Sequence, residues 1–124
     1  MQKGAGIAEV FDRLCRAAKT IEQVCEFMHD STFGYITSCP TNLGTALRGS
    51  VLVKLPKLSA KTDEFQAIAD KYQVQIRGKY GEHSVSPDGI YDISNKRRLG
   101  MSEKALVQDM INGVRAMIEA EKAL

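Results

Sequence analysis

The chain has 124 residues, 44% apolar and 26% charged, with a formal net charge of +2 and three cysteines. That length suits one domain able to bury about two thirds of its unfolded surface. The near balance of charge gives no bulk attraction to nucleic acid or to an anionic membrane, and no apolar run approaches the roughly 20 residues of a membrane span.

The opening stretch, MQKGAGIAEVF, lacks the apolar core of an export signal. Residues 7 to 28 carry a helical stripe of Ile7, Val10, Phe11, Leu14, Ala18, Ile21, Val24 and Met28. Cys15 and Cys25 fall on or beside it and read as small buried hydrophobes. HDSTFG is a polar break, and YITS reads as a short strand leading into Cys39. The three cysteines, odd in number and without CxxC spacing, point away from a disulfide framework or zinc site and toward a reducing, cytosolic compartment.

RGSVLVKLP alternates, with Val51, Val53 and Leu55 on one face and Arg48, Ser50 and Lys54 on the other. Leu52 is the exception, and Pro56 ends the strand. SAKTDEFQAIADKY has helical spacing at Phe65, Ile68 and Ala69. VQIRG alternates again, placing Val74 and Ile76 opposite Gln75 and Arg77. KYGEHSVSPDG is a loop, and IYDIS is a fourth strand. Ser102 is placed to cap a last helix with the face Leu106, Met110, Ile111, Val114, Met117 and Ile118. Strands come in pairs between helices without βαβ alternation, so the expected class is α+β: three helices flanking an antiparallel or mixed sheet of about four strands.

Two strands each place an arginine opposite their apolar residues. Arg48 and Arg77 can therefore share one sheet face, as a phosphate clamp or as an ordinary solvated surface. Cys39 before Pro40 reads either as a packed thiol or as a site residue. Glu82 and His83, in the YGEHS loop, read by themselves as surface groups. The basic run NKRRLG has no interleaved aromatics and is too short to argue for nucleic acid. Neither the P-loop nor the GxGxxG nucleotide motif is present.

CPTNLGTALRGSV, VKLPKL, QIRGKYGEHS and GIYDISNKRRLGMSE, in that order, resemble the C-terminal catalytic segment of the phosphagen kinases, the arginine kinases most of all. The resemblance runs from about residue 7 to Leu124. It implies reversible transfer of the ATP γ-phosphoryl group to a guanidinium nitrogen, with Mg2+ carried by ATP or ADP and no protein ligand to the metal in this segment. Arg48 and Arg77 match arginines that clamp the phosphates. Cys39 matches a reactive cysteine whose thiolate orients the substrate guanidinium, and a thiol beside several arginines is expected to have a depressed pKa. Glu82 matches a carboxylate that pairs with that guanidinium, which favours arginine over creatine as substrate. His83 and Asp92 match positions near the ribose and base.

Family members are about three times longer. The resemblance therefore implies that residues 1–124 are the C-terminal part of the catalytic domain, that the N-terminal domain and its substrate-specificity loop are absent, and that this segment alone is inactive. A sheet cut at that point exposes an edge open to self-association. A segment of a bacterial-type protein-arginine kinase and a non-catalytic nucleotide-binding or interaction module on the same fold are the alternatives. No nucleic-acid or membrane partner is expected, and the location is expected to be cytoplasmic.

Overall fold

The computed structural model describes residues 1–81 and 86–124. Helix α1 spans Ile7–Glu22. It is followed by a small hairpin of β1, His29–Asp30, and β2, Gly34–Tyr35. After a 3-10 turn at Pro40–Asn42 come β3, Ser50–Lys54, a short helix α2, Pro56–Ser59, and α3, Thr62–Lys71. The chain ends with β4, Val74–Gly78, β5, Ile90–Asn95, and the long helix α4, Glu103–Ala123.

The main sheet has three strands in the order β3-β5-β4, antiparallel throughout. Its register explains the two faces. Val51, Ile93 and Ile76 lie side by side across the strands, as do Leu52, Asp92 and Arg77 one residue along. Successive residues of a strand point to opposite faces, so the first row faces the core and the second row faces away. Leu55, Leu58, Phe65, Ala69, Val74, Ile93, Met110, Val114 and Met117 form that core, beneath α3 and α4. Of the apolar stripes expected for the last two helices, Phe65, Ala69, Leu106, Met110, Val114 and Met117 are buried and Ile68, Ile111 and Ile118 half-buried against the core, and Ser102 caps α4 by accepting a hydrogen bond from the Ala105 amide at 3.2 Å. In α4, Gly113 lets the helix approach β4, since a Cβ there would meet Val74 Cγ1 at 3.0 Å.

The first third of the chain departs from the expected arrangement. The helix stops at Glu22 rather than near Met28. Residues beyond it are drawn into pairing with Tyr35 and Ile36: the Ile36 amide donates to the Met28 carbonyl at 2.9 Å, and the Phe27 and His29 rings meet Tyr35 edge-on. HDSTFG is thus a hairpin turn, made by Asp30 Oδ1 accepting from the amides of Thr32 and Phe33 at 2.7 and 2.9 Å. YITS does not join the main sheet; only Tyr35 is in a strand, so the sheet has three strands rather than four. No residue of α1 is buried. Cys15 is half-buried and Cys25 exposed, so neither is the core residue that the stripe suggested. A helical stripe reports amphipathicity, and burial needs a partner surface; of this stripe, Ile7 alone is partly buried against the core among the described residues.

Candidate functional site

The second sheet face is where the chemistry gathers. Arg48, just before β3, reaches across to the central strand and forms an ion pair with Asp92, Nη2 to Oδ2 at 2.6 Å. Arg77 is the cross-strand neighbour of Asp92 on β4, and its Nη2 donates to Gln75 Oε1 at 3.2 Å. The alternation that placed Arg48 and Arg77 on one side therefore holds, with Asp92 between them. Leu52, the exception in the pattern, lies on this same face and is 49% exposed.

A third arginine joins them. Arg98 lies three residues beyond β5 and is only 9% exposed. Burial is the main force pulling its guanidinium pKa below the usual arginine range, followed by repulsion from Arg48 and Arg77. An arginine stays protonated at any ordinary pH. The shift therefore means that a charge is held partly out of water beside two like charges. Sequence reasoning passed over Arg98 as part of a short basic run. The only signal was its place just after the strand that carries Asp92, since no periodicity reaches into a turn. Its neighbour Arg97 turns the other way, toward Asp109 at 3.5 Å.

Cys39 is exposed, at the mouth of the 3-10 turn. Its Sγ lies 2.9 Å from Thr41 Oγ1. The Thr41 hydroxyl is the largest cause holding the thiol below the usual cysteine range; the Thr41 backbone bond comes next, and the charge of Arg98 is a smaller cause. The depressed thiol is as expected, but a local hydroxyl outweighs the arginines as its cause.

The loop from Cys39 to Arg48 is fixed against the Arg98 segment through Gly44. Its φ of +111° favours glycine, and a Cβ there would sit 2.7 Å from Leu99 Cα. The Thr45 amide then donates to the Arg98 carbonyl at 2.9 Å. Thiol and arginines are thus set by backbone packing. Three buried side-chain atoms of this region, Asp92 Oδ1, Ser94 Oγ and Arg98 Nε, have no hydrogen-bond partner in the structure. Buried polar atoms are ordinarily paired, so polar groups are left unmet just beneath this face. Glu82 and His83 lie outside the described residues.

Residues 1–124 match the family model of the ATP:guanido phosphotransferase C-terminal catalytic domain. The chain belongs to this family. It is 53% identical to an arginine kinase of Anthopleura japonica, over 99% of this chain and 18% of that protein. It is 50% identical to an arginine kinase of Turbo cornutus, over 100% of this chain and 35% of that protein. Among solved structures, the duplicated taurocyamine kinase of Schistosoma mansoni with bound transition state analog components is similar with a TM-score of 0.95 and 50% identity, over 99% of this chain and 17% of that one. The chain thus spans between 17% and 35% of the length of these family members. The α+β arrangement of helices and small antiparallel sheets is that of the phosphotransferase C-terminal domain.

Proposed function

We propose that this chain is the C-terminal part of the catalytic domain of an arginine-kinase-like phosphotransferase. In the proposed reaction a guanidinium nitrogen of arginine bonds to the γ-phosphorus of ATP as the bond to the β–γ bridging oxygen breaks. ADP leaves, and the nitrogen gives up a proton. Such transfer depends on positioning and charge neutralisation rather than covalent help. One observation carries the reading: Arg48 and Arg77 flank the Asp92 carboxylate on one sheet face, and Arg98, in the turn after β5, is near enough to be repelled by both.

Arg48, Arg77 and Arg98 would offset charge on the phosphates. The Cys39 thiolate would face the guanidinium, Glu82 would pair with it and take its proton, and His83 and Asp92 would border the ribose and base. Mg2+ would arrive with the nucleotide. The described residues include no group of three or more His, Cys, Asp or Glu side chains suited to a metal, and Asp92 already holds Arg48, so no step is assigned to a protein-bound ion. The similarity to the Schistosoma mansoni taurocyamine kinase makes taurocyamine the second substrate to test. β3 and β4 are edge strands of the main sheet, where further strands of a longer protein or a second copy would pair. Three free thiols suit a reducing compartment, and the cytoplasm is the proposed one.

Calorimetric titration of the chain with Mg-ADP tests the phosphate site. Binding should weaken at least about tenfold in Arg48→Ala, because charge-assisted hydrogen bonds are worth roughly 1.5–3 kcal/mol. Lys19→Ala, on the exposed N-terminal helix, serves as the control. No heat with Mg-ADP, or equal affinity in Arg48→Ala, overturns the reading.

A further inference from the structure

Asn95 is the last residue of β5 and is 1% exposed. Its amide has three uses. Oδ1 accepts from the Gly49 amide at 2.8 Å, and Nδ2 donates to the carbonyls of Leu47 at 3.0 Å and Arg97 at 2.8 Å. Residues 47 and 49 bracket Arg48, and residue 97 precedes Arg98. One buried side chain therefore ties the backbone on both sides of Arg48 to the backbone beside Arg98.

The chemistry suits asparagine in particular. The position needs one acceptor and two donors on a short planar group. Aspartate would keep the bond from Gly49 but turn a carboxylate oxygen toward two carbonyls. Glutamine has the same groups one methylene too far out. The segment being held also resists its conformation. Ala46, two residues before Arg48, has φ of +53°, which a side chain with a Cβ adopts only where its surroundings impose it. The two guanidiniums repel each other as well, and Asn95 adds its side-chain bonds to the backbone contacts of Gly44 and Thr45 that already join the loops carrying them.

We propose that Asn95 is a positioning residue that fixes the spacing of Arg48 and Arg98, and through it the phosphate affinity of the face. It touches no phosphate itself. The proposal rests on the phosphate-site reading above. The competing role is a plain strand-end staple, which would lower thermal stability and leave affinity alone.

The test uses the full chain and two readouts. In the ligand-free protein, Asn95→Ala should shift the NMR signals of the Arg48 and Arg98 Nε–H groups and leave those of Arg13 and Arg115 in place. Mg-ADP affinity, measured well below Tm, should fall roughly tenfold or more, as expected for Arg48→Ala, since a displaced guanidinium loses its charge-assisted hydrogen bonds to phosphate. Asn95→Asp, which keeps the Gly49 bond, should displace Arg98 more than Arg48, and it replaces the alanine variant should that one not fold. Glu121→Ala is the stability control. Glu121 accepts from the Lys57 and Leu58 amides at 3.0 and 2.7 Å, on the core side of the molecule. It should lower Tm without changing affinity. Unmoved arginine signals in a folded Asn95 variant overturn the proposal with or without nucleotide. So does unchanged Mg-ADP affinity where Arg48→Ala weakens it. Equal affinity in wild type and Arg48→Ala instead sinks the phosphate-site reading.

Discussion

Cys39 carries the most direct residue-scale consequence. Cys25 and Cys39 are both exposed, so access alone does not single out Cys39; its lowered pKa does. Alkylation proceeds through the thiolate. Near neutral pH Cys39 should therefore label ahead of Cys25 and Cys15. Because Thr41 is the largest cause of the low pKa, Thr41→Val should move the Cys39 pH–rate inflection upward more than Arg98→Met does. Peptide mapping after timed labelling reads both. Faster labelling of Cys25 at pH 7, or a larger shift from Arg98→Met, would show that the local hydrogen bond is not in control.

At the scale of elements, the helices divide by what covers them. Helix α4 buries Leu106, Met110, Gly113, Val114 and Met117, whereas α1 has no fully buried residue and only Ile7 packed against the core. Amide exchange should follow that division, with α1 opening locally at low cost and the middle of α4 exchanging only on global unfolding. Equal protection in the two helices would mean that α1 has a partner surface in solution. Sequence pattern alone carried α3, α4 and the three strands of the main sheet, because their apolar residues repeat at the period of the element and do face a core. The same logic overreached at α1, where the stripe is present but uncovered. It also missed the hairpin, whose short strands are organised by Asp30 and aromatic contacts. Within the site, Arg48 and Arg77 were legible from strand alternation. Arg98 and Asn95 were not, because a turn has no period and a staple side chain looks like any other asparagine.

For the whole molecule, the sheet separates two jobs: one face carries the hydrophobic core and the other the arginines. If the remaining half of the site comes from elsewhere in a longer protein, the chain alone should show no turnover with arginine and Mg-ATP. Each missing charge contact costs about 10²–10³ in rate. A coupled ADP-release assay decides this; turnover near an ordinary enzyme's rate of about 10 s⁻¹ would show the segment to be sufficient. The crowding of like charges on one side has a consequence for what selection can tolerate. Arg98 is buried and repelled by Arg48 and Arg77, and among the described residues its side chain donates one hydrogen bond, to the Lys96 carbonyl, long at 3.3 Å. Replacing it with a neutral side chain of similar length relieves repulsion and desolvation together. Arg98→Met should therefore melt at a higher temperature than wild type while binding Mg-ADP more weakly; a lower melting temperature would contradict this. With both outcomes in hand, Arg98 would be a residue at which stability is given up for a ligand, the kind of trade-off that functional sites make.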